Sequence, residues 1–100
     1  GERLDFTKLK SISFEIPDTE VFRGLALAYE AGSQGGSLPT VYNAANEYAV
    51  ALFLQRKIPY LTIQEMIASA MEHHQVIARP NVEEILAAEQ ETYEFLESRW

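Results

Sequence analysis

PTVYNAANEYAVALFL, residues 39–54, is the stretch whose reading decides the fold. Advanced at the helical step of about 100° per residue, Val41, Ala44, Ala45, Tyr48, Ala49, Leu52 and Phe53 cover most of the circumference. Only Asn43, Asn46 and Glu47 interrupt the ring, with Val50 and Leu54 on their side. A helix apolar almost all round is the central one of its domain, and Leu52 is expected at its most enclosed point. The three polar residues share one helix face and are expected at or near a packed surface, where each must find a partner. That partner is a ligand, another domain, or backbone of the preceding arm and neighbouring helices. Ala44 and Ala45 between them let another element approach closely.

Outward from this helix the pattern is helical on the C-terminal side and extended on the N-terminal side. Ile12, Phe14 and Ile16 alternate with Ser11, Ser13 and Glu15, the period of a half-buried extended segment ended by Pro17. A first helix is expected over about residues 19–31, capped by Asp18 or Thr19, with Val21, Phe22, Leu25, Ala28 and Tyr29 on its apolar side and Gly32 as its stop. Pro39 suits the first turn of the second helix, Arg56 and Lys57 suit its last turn, and Pro59 forbids continuation. Thr62-x-x-Glu65 reads as a capping box for a third helix with the stripe Ile63, Met66, Ile67, Ala70 and Met71. Asn81-x-x-Glu84 reads the same way for a fourth, with the stripe Val82, Ile85, Leu86, Tyr93, Leu96 and Trp100. Glu89 falls inside that stripe, so a hydrogen-bond partner from another helix or a backbone N–H is expected for it. The fold class is all-α: a small superhelical four-helix bundle over residues 18–100, preceded by an extended docking arm over residues 1–17.

Composition narrows the function classes. One hundred residues, 47% of them hydrophobic, make one domain with a modest core. With no cysteine, disulfides and thiolate metal sites are excluded. A net charge of −7 argues against nucleic-acid partners and anionic membrane surfaces, and no apolar run is long enough to span a bilayer. Eight of the fifteen acids follow Tyr60, against two bases, Arg79 and Arg99. The chain opens Gly1-Glu2-Arg3-Leu4 without an initiator Met, so it is expected to be an excised piece of a longer chain, Gly1 being a candidate tag residue.

Catalytic constellations are sparse. His73 and His74 are adjacent and project about 100° apart on a helix, which suits C-capping or partial packing better than metal ligation. Glu84 is committed to its cap, and Glu83 points elsewhere. Gly35-Gly36-Ser37 lacks the Lys and leading strand of a phosphate loop and reads as a plain turn. No Ser/His/Asp or Cys/His set stands in a recognisable order.

The run from Thr40 to Leu54, T-V-Y-N-A-A-N-E-x-A-V-x-x-F-L, resembles the signature helix of the C-terminal domain in the 1-deoxy-D-xylulose 5-phosphate reductoisomerase family. Flanking pieces agree in order and spacing: Leu4-Asp5-Phe6-Thr7-Lys8-Leu9, Ser13-Phe14-Glu15-x-Pro17-Asp18, Leu27-Ala28-Tyr29-Glu30-Ala31, Lys57-Ile58 before Leu61-Thr62-Ile63, and Ile85-Leu86 before Glu89. The chain departs from the family pattern at Gly24, where a cysteine is expected, and at Arg56, where small or acidic residues are usual. The resemblance implies a parent that converts 1-deoxy-D-xylulose 5-phosphate to 2-C-methyl-D-erythritol 4-phosphate in non-mevalonate isoprenoid synthesis. It implies NADPH and Mg2+ or Mn2+ as cofactors, a homodimer, and a bacterial cytoplasmic or plastid location. The family's catalytic, cofactor and metal residues precede this stretch, so none is assigned here. The implied role is structural, docking on the upstream catalytic domain of the same chain. Asn43, Asn46, Glu47 and Glu89 are the candidate interdomain cluster, and residues 4–16 are a candidate route to self-association. The alternative is a free-standing acidic helical module that grips a peptide or helix.

Overall fold

The structure is a computed structural model and describes residues 18–100. The expected arm lies outside the described residues. Among the described residues four helices follow in order: α1 (Asp18–Gln34), α2 (Leu38–Leu54), α3 (Thr62–His73) and α4 (Val82–Arg99). No strand occurs among the described residues. Helix α2 packs against each of the other three, whereas α1 and α4 hardly meet, so the nearly continuous apolar helix is central as its composition requires. Its inner arc is Leu38, Val41, Ala45 and Ala49, all buried. These meet the stripe of α3, where Ile63, Met66, Ile67, Ala70 and Met71 are buried as the period predicts. Leu52 is half-buried and sits at the margin of this core rather than its centre.

Helix ends show where local signals held and where they lost. Asn81 caps α4 with both halves of a capping box, Glu84 N–H donating to Asn81 Oδ1 at 2.8 Å and Asn81 N–H to Glu84 Oε1 at 3.0 Å. The box expected at Thr62 does not form. Leu61 is the N-cap of α3, and the Thr62 and Ile63 amides donate instead to the carbonyls of Pro59 and Tyr60. The preceding backbone turn has taken the Thr62 amide that the Glu65 carboxylate would have served. Helix α1 runs past Gly32, which lies exposed within it, and stops at Gly35 with φ of 65°. On α1, Leu27 and Ala31 pack inward, while Tyr29 and Ala28 are exposed, contrary to the expected stripe.

Helix α2 ends before Arg56, not at it. The Arg56 N–H donates to the Phe53 carbonyl and the Lys57 N–H to the Leu52 carbonyl, both at 2.9 Å, the paired bonds of a Schellman motif. Arg56 therefore occupies the left-handed position, with φ of 62°, where glycine is favoured.

The largest correction concerns α4. Its buried residues are Ala88, Thr92 and Leu96, whereas Val82 is 71% and Leu86 58% exposed, and Ile85 and Trp100 are exposed as well. The inward face is rotated by roughly 80° from the axis of the apolar stripe. Small side chains at 88 and 92 allow the helix close to its neighbours, and Thr92 satisfies its hydroxyl on the Ala88 carbonyl at 2.7 Å.

Candidate functional site

Two groups of polar side chains stand out. The first spreads over the outer faces of α2 and α4. Asn43, Asn46 and Glu47 are all exposed, on the side of α2 opposite its buried alanines. Glu47 accepts a hydrogen bond from the Tyr93 hydroxyl at 2.7 Å, tying α2 to α4. Tyr93 also lies against Tyr48, with ring centroids 6.1 Å apart. The Glu47 carboxylate that accepts this hydrogen bond pushes the Tyr93 phenol up to about 12, helped by burial and by the charges of Glu47 and Glu89. Glu89 lies four residues before Tyr93 on α4 and is exposed. Among the described residues it has no hydrogen-bond partner, contrary to expectation, because the face it shares with Val82 and Leu86 is turned outward. Asn43 and Asn46 likewise point away from the core instead of fixing it. Of the four candidate residues, the structure therefore joins Glu47 and Glu89 around Tyr93, and leaves the two amides beside them on the same open surface. The result is a mixed face of carboxylates, amides, a phenol and the side chains of Val82 and Leu86. Such composition suits a protein contact more than small-molecule chemistry.

The second group was not legible in the sequence. Ser37 is fully buried, and its hydroxyl accepts the Ile77 N–H at 2.7 Å and lies 2.7 Å from His74 Nε2. The Ser37 N–H donates to the Ile77 carbonyl at 2.9 Å. Gly36, with φ of 59°, lies so close that an added Cβ would overlap that same carbonyl oxygen. Burial holds His74 below its ordinary value of 6.5, with Glu91 opposing and His73 assisting. His73 stacks on Phe95, centroids 4.2 Å apart, so the histidines are packed as expected. They border an open cleft of about 530 Å³ that also receives Glu84, Glu91 and Thr92.

A serine at hydrogen-bond distance from a histidine near a glutamate has the outline of a nucleophile and its base. Here the hydroxyl is sealed from solvent and already accepts a backbone N–H, so no substrate reaches it. The turn does not fit a nucleotide phosphate either: the Ser37 N–H is taken by Ile77, and the carbonyl of Ile77 fills the space that a phosphate would need. Among the described residues no group of three or more His, Asp or Glu side chains is placed to hold a metal ion. No helix among them is long and apolar enough to cross a membrane.

Comparison with known proteins gives a consistent family. A family model described as the DXP reductoisomerase C-terminal domain matches residues 1–95. The chain is 52% identical over 100 residues to the 1-deoxy-D-xylulose 5-phosphate reductoisomerase of Agathobacter rectalis, covering 100% of this chain and 26% of that protein. It is 54% identical over 99 residues to the enzyme of the same name from Lachnospira eligens, covering 99% of this chain and 26% of the relative. It is 48% identical over 95 residues to that of Bacillus cereus strain AH187, covering 95% and 25%. The chain thus spans about a quarter of the length of the curated relatives it matches. No solved structure matches it.

Proposed function

The chain belongs to the DXP reductoisomerase C-terminal domain family, and from that membership we propose that it serves as the helical structural domain of a 1-deoxy-D-xylulose 5-phosphate reductoisomerase. In this reading the parent rearranges and reduces 1-deoxy-D-xylulose 5-phosphate to 2-C-methyl-D-erythritol 4-phosphate for isoprenoid synthesis. Upstream residues hold NADPH and Mg2+ or Mn2+, and the parent works as a homodimer. The bacterial sources of the relatives favour a bacterial, cytoplasmic parent over a plastid one. No reaction step is assigned to the four helices.

The observation that carries the reading is the outer face of α2 and α4. Asn43, Asn46 and Glu47 belong to the run by which the chain resembles the family, yet they are turned away from the core, and on α4 Val82 and Leu86 are exposed as well. Two amides with no hydrogen-bond partner among the described residues, together with apolar side chains left uncovered, suit docking on the upstream part of a longer chain. Residues 4–16, outside the described residues, are proposed to lead into that contact or to pair with a second copy.

The test joins this chain to the upstream three-quarters of the Agathobacter rectalis enzyme in place of that enzyme's own C-terminal quarter. NADPH oxidation dependent on 1-deoxy-D-xylulose 5-phosphate is expected, and it should drop at least tenfold when Glu47→Lys and Leu86→Asp are combined. The chain alone should give no saturable heat with NADPH. Full activity in the double variant, or micromolar NADPH binding by the isolated chain, would overturn the assignment.

A further inference from the structure

The docking role leaves Ser37, His74 and Ile77 unused, although they tie together segments 37 positions apart. We propose that the turn at residues 35–37 and the segment 74–77 form an acid-sensitive latch, which opens when His74 gains a proton and leaves the four-helix core packed.

The hydrogen-bond pattern carries the inference. Because the Ser37 hydroxyl oxygen accepts the Ile77 N–H, its own hydrogen is free to point at His74 Nε2, 2.7 Å away. That arrangement needs a lone pair on Nε2, which assigns His74 as neutral with its proton on Nδ1. Protonation turns Nε2 into a donor. The Ser37 oxygen then faces two incoming donors, and its own O–H loses its acceptor in a place fully closed to water. A buried hydroxyl without a partner is disfavoured, so the contact breaks. Gly36 is packed against the same Ile77 carbonyl that accepts the Ser37 N–H, and the turn has little room to adjust around a repelled imidazolium.

The groups around His74 set the direction. From α4, Glu84 and Glu91 line the cleft beside it; from α3 comes His73; the turn 35–37 contributes no ionisable side chain. Burial lowers the proton affinity of His74 more than Glu91 raises it, and His73 adds to the lowering. A base held below its ordinary value of 6.5 favours the latched form fully above that value, and the advantage is lost as pH falls through the folded value. None of the latch side chains belongs to the apolar cluster of Val41, Met66, Ile67 and Leu96, which is why the core survives the opening.

Amide hydrogen exchange of the full chain, followed by NMR from about pH 7.5 to about pH 5 and corrected for intrinsic rates, tests this. Protection at the Ser37 and Ile77 amides is expected to fall about fivefold or more, the change equivalent to losing one ordinary hydrogen bond, while Met66 keeps its protection. In His74→Gln, whose side-chain oxygen accepts from Ser37 but does not titrate, the step should vanish. In Glu91→Gln, which removes the opposing charge, it should move to lower pH. Constant protection at Ser37 and Ile77 in the wild type would overturn the latch. So would an undiminished step in His74→Gln, or loss of protection at Met66 in parallel.

Discussion

Leu96 and Leu86 occupy the same apolar stripe by spacing, but the structure puts one at 0% and the other at 58% exposure, so truncating each to alanine measures which face of α4 is inward. Leu→Ala removes three carbons, about 2.4 kcal/mol of transfer at ~0.8 kcal/mol per methylene. Leu96 is itself fully buried in the cluster that holds Val41, Met66 and Ile67, so a residual cavity adds to that, giving about 3–4 kcal/mol. At Leu86 less than half of the transfer applies, no enclosed cavity forms, and alanine is at least as good a helix former, so the cost is under about 1 kcal/mol. Urea unfolding followed by far-ultraviolet circular dichroism reads both. With a slope near 1 kcal/mol per molar for a domain of this size, the two midpoints should differ by about 2 M or more. Should Leu96→Ala fail to fold, Leu96→Val, which removes one methylene, is expected to cost about 1 kcal/mol and remain measurable. Equal costs at the two positions would refute the packing of α4 described above.

Gly36→Ala is expected to destabilise by about 2–4 kcal/mol, because its Cβ meets the Ile77 carbonyl, whereas Gly35→Ala, equally left-handed but with nothing near, should cost only about 1 kcal/mol; thermal melts showing the two alike would count against the close approach. Arg56→Gly should stabilise by about 0.5–1 kcal/mol, the relief of left-handed strain less the added freedom of the unfolded chain, and a lowered melting temperature would contradict the Schellman assignment. Tyr93 should titrate at about 12 by NMR and move down towards the ordinary value in Glu47→Gln. Its contribution to stability is complete below the unfolded value of about 10 and is lost as pH rises from there through the folded value. An unchanged midpoint in Glu47→Gln would break the link between the two residues.

The central place of α2 was readable because apolar residues, Val50 and Leu54 included, fall on nearly every side of it, although the structure leaves the side of Asn43, Asn46 and Glu47 open. The stripe of α3 was readable for the simpler reason that its large residues all sit on one side. In α4 the period located an apolar face but not the buried one. Large Val82 and Leu86 competed with small Ala88 and Thr92, and close approach selected the small ones, a choice made by the neighbouring helices. That same misreading led Glu89 to be expected inside. Asn43 and Asn46 were noticed for the right reason, their misfit in an apolar helix, but a misfit does not say whether the missing partner is within the chain. Ser37 and His74 gave no local signal, since neither periodicity nor a cap motif links residues so far apart.

Leu96 lies in the last turn of α4, yet no water reaches it, and it packs into the core built by α2 and α3. During vectorial synthesis this means that the first three helices emerge with their shared interior still open. They wait for the closing turn of α4, with Val41, Met66 and Ile67 exposed to other unfinished chains in the meantime. A chain cut within α4 ahead of Leu96 would stay in that state. A polypeptide broken off before Leu96 therefore presents an uncovered apolar surface to chaperones and proteases.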